Sequence, residues 1–314
     1  KWNCKCDAIP DYCFAECSNL TSFNFADIKK IGSYAFWASG LQEVRLPKNI
    51  EIIYERAFGE CCELQSVKWN CKCDAIPDYC FCNCTKLKQC EFLGIQKIGR
   101  YAFERSCLQE VDLPETIKEV SVGAFRKCGE LQSATWPHKC DVIPADCFAG
   151  CLKLTQFDFS NAKKIEQYAF GNSGLQEVRL QKNIESISNE AFCGCSKLHS
   201  VTWRCQCDVI PNACFERCSN LKQFDLSNVK KIEAYAFGRS GLTSVTLSKK
   251  TAVDQNCFAC CNDLEKIEWL SDRNIEKTIF AECKNIKEIF ISDSVMDIAV
   301  DAFVSSPNAE ITFV

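Results

Sequence analysis

The side chains with chemistry to offer are mostly thiols. The sequence holds 27 cysteines against two histidines, His138 and His199. Because 27 is odd, at least one thiol of a monomer has no intramolecular disulfide partner. One series recurs three residues after a repeated phenylalanine: Cys17, Cys61, Cys84, Cys128, Cys151, Cys195, Cys218, Cys261 and Cys283. Ser39, Ser106, Ser173, Ser240 and Ser306 fill the remaining places. A second series reads Cys-x-Cys-x6-Cys-x3-Cys at Cys4, Cys6, Cys13 and Cys17. It returns at Cys71, Cys73, Cys80, Cys84 and at Cys205, Cys207, Cys214, Cys218. In a further copy His138 stands in the first place, ahead of Cys140, Cys147 and Cys151.

These patterns admit three chemistries. If the repeated phenylalanines mark stacked coils, then Cys61/Cys84, Cys128/Cys151, Cys195/Cys218 and Cys261/Cys283 lie on adjacent coils. Their Cα atoms would be about 5 Å apart, within disulfide reach. The same column can equally be buried thiols acting as small hydrophobes. For the Cys-x-Cys copies the readings are plain thiols, a disulfide to the following Cys-Phe segment, or zinc. A cysteine-to-histidine exchange suits zinc, but the spacing matches no established zinc motif, so no metal is expected. Nucleophilic catalysis needs a cysteine and histidine in contact and a third orienting group. His138 and His199 fall on different repeats, and the 13 glycines form no phosphate-cradling loop. The expectation is no enzyme and no cofactor.

What positions these thiols is a repeat. Phenylalanine recurs at Phe14, Phe36, Phe58, Phe81, Phe103, Phe125, Phe148, Phe170, Phe192, Phe215, Phe237, Phe258, Phe280 and Phe303, on average about 22 residues apart. Five residues before it stands Ile or Val, as at Ile9, Ile31, Ile53 and Ile76. Five or six residues after it Leu opens a Leu-x-x-apolar-x-apolar stretch, as in Leu41–Val44–Leu46 and Leu175–Val178–Leu180. Period-two alternation marks a strand with one buried face. Each coil therefore reads as strand, turn, short buried Ile segment, then a one- or two-turn helix carrying Ala-Phe or Cys-Phe. No coil can bury its apolar side alone, so stacking is required. A longer period is superposed: Trp2, Trp69, Trp136 and Trp203 are 67 residues apart, with Trp269 66 residues further on. Three coil types alternate.

The stretch LQEVRLPKNIEIIYERAFGECCELQSV, residues 41–67, carries a strand ending in Leu-Pro, an Ile pair, and Ala-Phe-x-x-Cys-x-x-Leu. It resembles the BspA-like, or Treponema-type, leucine-rich repeats, and the likeness runs through nearly the whole chain. The resemblance implies a leucine-rich-repeat α/β solenoid of about fourteen coils, with a parallel sheet on one face and short helices or irregular segments on the other. It also implies one domain over 1–314, with the divergent coils of about 271–314 as a C-terminal cap. Members of that family are often surface proteins of bacteria and unicellular eukaryotes that adhere to host proteins or other cells. They share a scaffold and no fixed binding residues. The extra cysteines depart from the family pattern.

The expected contact surface is the strand face, where outward side chains line up in columns. The central column includes Arg45, Lys68, Glu91, Asp112, Asp158, Arg179 and Asp225, and a flanking column holds Glu43, Glu110 and Glu177. The same columns also read as a solvated face with no ligand. The net charge of −4 does not point to nucleic acid. No run approaches the ~18 apolar residues of a spanning helix, so membrane insertion is not expected. Asn19-Leu-Thr and Asn83-Cys-Thr fit the glycosylation acceptor pattern. The chain starts and stops at a similar phase of the repeat. Missing upstream coils would account for that, as would head-to-tail self-association into a filament. The leading expectation is a surface or secreted adhesion module for a protein or glycan ligand. An extracellular fibre subunit is the second reading, and a cytoplasmic interaction scaffold the third.

Overall fold

A computed structural model describes residues 6–314. Trp2 and Cys4, the first members of their series, lie outside the described residues. The chain divides into two compact units, Lys1–Ala162 and Lys163–Val314. Each holds seven of the repeated phenylalanines, and each is a stack of coils joined by parallel strand pairs.

In the first unit the strands Glu43–Leu46, Ser66–Trp69 and Gln89–Glu91 pair in register, so that Val44, Val67 and Cys90 align. Val44 and Val67 are buried, and the side chains between them point outward. Short two-residue strands at the Ile positions pair likewise, Ile9 with Ile31 and Ile31 with Ile53. The second unit repeats the arrangement. There Ser244–Leu247, Lys266–Trp269, Glu288–Ile291 and Glu310–Phe313 form four aligned strands. In the segment 271–314, Met296 and Val300 are almost wholly exposed.

Between these strands the phenylalanine rings stack within each unit. In the first unit the rings of Phe36, Phe58, Phe81, Phe103, Phe125 and Phe148 follow one another at 5.4–5.7 Å, with interplanar angles under 20°. Phe192, Phe215, Phe237 and Phe258 do the same in the second unit at 5.6–5.7 Å. A tryptophan sits edge-on to every third ring: Trp69 on Phe81, Trp136 on Phe148, Trp203 on Phe215 and Trp269 on Phe280. A buried indole N–H must find an acceptor. Each one donates to the backbone carbonyl four residues on, at Cys73, Cys140, Cys207 and Arg273, over 2.7–3.1 Å. This bond is why the tryptophan recurs with the turn that follows it.

The expected short helices are absent among the described residues. The Ala-Phe segments are successive turns whose N–H groups alternate between their own coil and the next. The Gly59 N–H reaches back to the Arg56 carbonyl, while those of Arg56, Phe58 and Glu60 reach forward to Asp78, Cys80 and Cys82. Arg56 and Glu60 have positive φ, of 54° and 58°. Tyr12 and Glu16, and Tyr79 and Asn83, repeat the pattern. A left-handed residue every fourth position prevents a helix from propagating. It also turns every second amide outward to bind the neighbouring coil.

Candidate functional site

The strand register brings several of the expected contact residues together. Arg45, Lys68 and Glu91 form one row across three neighbouring strands. The Arg45 Nε lies 2.7 Å from a Glu43 carboxylate oxygen, and the Lys68 Nζ 3.5 Å from Glu91. All four side chains stay more than a third exposed, so these pairs contribute little stability. Glu110 lies in register with Ser133. Asp112 accepts a 2.9 Å hydrogen bond from the Thr135 hydroxyl. In the second unit Arg179 sits opposite Thr202 and binds Glu177 at 2.5 Å. Also in that unit, the Lys266 ammonium lies 5.0 Å from the Phe290 ring and 2.8 Å from Glu268. The Lys266 and Thr246 hydrogen bonds hold the Glu268 carboxyl below its usual range.

Asp158 and Asp225 are exposed but do not lie on strands. The Phe-x-Phe and Phe-x-Leu alternation around them imitates a strand. Each carboxylate instead accepts the backbone N–H two residues on, at Ser160 (2.9 Å) and Ser227 (3.0 Å). Asn24 does the same to Ala26. Such local bonds compete with the strand ladder for the backbone. The strand ladder is therefore interrupted at these three coils, whereas Glu91 at the equivalent place stays on a strand. The Ser227 bonds also hold the Asp225 carboxyl below its usual range.

A groove of about 660 Å³ opens on this face of the first unit, between 88–93 and 109–114. Lys88, Glu91, Glu110 and Asp112 supply its charges, and Leu93 and Pro114 its apolar wall. Leu93 is 62% exposed, and the following Gly94 takes a φ of 75°. Leu93 breaks the period-two alternation after Phe92, which is the one sign of the groove visible in the residues. On the turn side a second surface was not anticipated. Tyr12 stacks on Tyr34 at 4.7 Å, the Arg56 guanidinium lies 4.2 Å from the Tyr79 ring centre, and Tyr79 stacks on Tyr101 at 5.2 Å.

The eight cysteines considered for cross-coil disulfides are free thiols, all buried. Each donates its S–H to the carbonyl of a phenylalanine on the preceding coil. Cys61 binds Phe36, Cys84 Phe58, Cys128 Phe103 and Cys151 Phe125; in the second unit Cys195 binds Phe170, Cys218 Phe192, Cys261 Phe237 and Cys283 Phe258, all at 3.0–3.3 Å. Where the column changes to serine, the hydroxyl meets the next thiol, as Ser106 meets Cys128 at 3.2 Å. Burial pushes the Cys61 thiol up to about 11 and those of Cys128 and Cys195 up to about 12. Cys71, Cys73, Cys80 and Cys84 are likewise free thiols. His138 is exposed, with its Nε2 4.0 Å from Glu115. Among the described residues no three or more His, Cys, Asp or Glu side chains converge as a metal site. Asn19 is exposed, whereas Asn83 is half-buried with a φ of 56°.

Parallel strands, stacked rings and a repeating turn define a leucine-rich-repeat β-solenoid. The family model described as "BspA type Leucine rich repeat region (6 copies)" matches residues 7–132, 93–199, 141–265 and 210–314. The chain belongs to that family. Among solved structures, it is similar to a leucine rich cell surface protein from Faecalibacterium prausnitzii, at 21% identity and a TM-score of 0.58, over 87% of each chain. A leucine-rich repeat protein from Bacteroides ovatus matches at 20% identity and a TM-score of 0.53, over 92% of this chain and 88% of that one. The pneumococcal vaccine antigen PcpA matches at 17% identity and a TM-score of 0.53, over 92% of this chain and 72% of that one. These likenesses concern the fold. No curated protein matches the sequence. Among the described residues no helix is long and apolar enough to cross a membrane.

Proposed function

We propose that the chain is a non-enzymatic binding module that contacts a protein ligand through its strand face, on a cell surface or after secretion. The observation that carries this reading is the groove between 88–93 and 109–114. There, three carboxylates and Lys88 surround an exposed leucine on an otherwise solvated sheet. A mixed-charge rim around an apolar contact is how protein interfaces are commonly built. A glycan ligand is the alternative within this reading. The cell-surface description of the Faecalibacterium prausnitzii protein supports the proposed location.

The test is binding of the purified chain to immobilised extracellular-matrix proteins and to a glycan array. Glu91→Lys/Asp112→Lys is expected to weaken capture by about 10- to 100-fold, as 1–3 kcal/mol of lost rim and core contacts would. Glu16→Lys on the turn side is the control and is expected to leave capture unchanged. Loss of binding in the control alone, or no binding to any surface, would overturn the proposal.

A further inference from the structure

We propose that Cys71–Cys73 and Cys205–Cys207 are reversible dithiol sites that small-molecule disulfides oxidise to intra-turn disulfides. Most buried thiols of the molecule donate to backbone carbonyls. In these two pairs the thiols interact with one another, as the buried Cys261 and Cys283 also do, and Cys73 reaches the Ile50 carbonyl at 3.8 Å while Cys205 reaches the Cys207 carbonyl at 3.9 Å. Cys71, Cys73, Cys205 and Cys207 are only half-buried, whereas Cys80 and Cys214, next in the same copies, are fully buried. The turn that holds each pair is fixed from two sides. The indoles of Trp69 and Trp203 grip the carbonyls of Cys73 and Cys207, at 3.1 and 2.9 Å. The N–H of the intervening Lys72 or Gln206 binds the carbonyl of Ile50 or Ile184, each at 3.1 Å. Two half-exposed thiols two residues apart on one fixed turn need only a local change to join. The pair is also polarised. The bond from Cys73 lowers the Cys71 pKa and raises that of Cys73, and Cys207 acts on Cys205 in the same way.

Attack can start from either cysteine of a pair, here from Cys71. Its thiolate attacks a disulfide RSSR, forming the Cys71–SR bond and releasing RS⁻. The Cys73 sulfur then attacks the Cys71 sulfur. The Cys71–Cys73 bond forms, the bond to R breaks, and a second RS⁻ leaves. The protein gives up two electrons, and its two thiol protons end on two molecules of RSH. The His138 copy is an internal control, because Cys140 has no cysteine two residues before it.

The full chain is equilibrated in reduced and oxidised glutathione mixtures, quenched with acid, alkylated and digested. The peptides carrying Cys71/Cys73 and Cys205/Cys207 are expected to lose two hydrogens each, with return on adding excess reduced glutathione. Cys140 is expected to give at most a glutathione adduct. In Cys73→Ser the adduct on Cys71 accumulates, because no second thiol remains to displace it. Separate alkylation of both thiols in every mixture would overturn the proposal. So would pairing with Cys80 or Cys214 in place of the Cys-x-Cys partner.

Discussion

Phe125→Ala is expected to lower the unfolding free energy by about 3–5 kcal/mol, the range for an aromatic removed from a core that cannot close around the gap. Phe125 is fully buried, with rings at 5.7 Å on both sides. Its loss deprives Phe103 and Phe148 of a stacking partner each, which adds about 0.5–1.5 kcal/mol per pair beyond burial. Collapse is resisted because the turn backbone is bonded to the next coil, Phe125 N–H to the Cys147 carbonyl at 3.1 Å. The effect is also expected to spread unevenly, because repeat units depend on their neighbours. Trp136, edge-on to Phe148 at 5.9 Å, is the local reporter. Urea unfolding followed by tryptophan fluorescence, to which Trp136 contributes, is compared with Leu93→Ser, an exposed site expected to change stability by less than about 0.5 kcal/mol. A loss below 1 kcal/mol in Phe125→Ala would sink the idea that the ring stack is the main source of cohesion.

The repeat itself was legible because one burial requirement recurs at one interval. The same large ring must meet its copy on the next coil, so its type cannot drift. Leu41, Val44 and Leu46 announced the strand for a similar reason. The turns were not legible. Helix was inferred from Ala-Phe spacing, yet Tyr34, Arg56 and Glu60 take left-handed backbone with no glycine to announce it. Their conformation is imposed by hydrogen bonds to the next coil, which no local propensity encodes. The contact surface was half legible. Arg45, Lys68 and Glu91 fall in one row, but Asp158 and Asp225 were misplaced on strands. The carboxylate-to-backbone bonds that break the strand there look like ordinary outward polar positions in an alternating pattern. The groove arises where Leu93 leaves the alternation, a single-residue event that a periodic reading averages away.

Alkali is expected to unfold the reduced protein well before its lysines and arginines discharge. The Cys61, Cys128 and Cys195 thiols are raised to about 11, 12 and 12 by burial. A raised folded value means that the native state still holds its protons at a pH where the unfolded chain has released them. Their stabilisation is thus fully present below about pH 9, the ordinary thiol value, and is lost as pH rises toward the folded values. Each such thiol removes about 1.4 kcal/mol per pH unit across that window. Three alone remove about 4 kcal/mol per unit, comparable with a domain's whole margin of stability. Urea midpoints measured under reductant at pH 8, 9 and 10 check this. Cys128→Ser/Cys195→Ser keeps a hydrogen-bond donor in a column where serine already occurs. It should flatten the fall between pH 9 and 10 by about 2–3 kcal/mol. An unchanged slope would show that ionising thiols do not govern the loss.

Within either unit the bonds that tie coil to coil, at the strands, the turns and the thiol column, all run from one coil to the next. A stretching force applied to the two ends of such a unit therefore loads them one after another. Few of them share the load, so none is protected by its neighbours as strands sheared lengthwise would be. The expected response is a sawtooth at modest force. Each tooth would release one coil of about 22 residues, or roughly 75 Å of extended chain. A tether built in this way would lengthen in small steps and rewind when the tension drops.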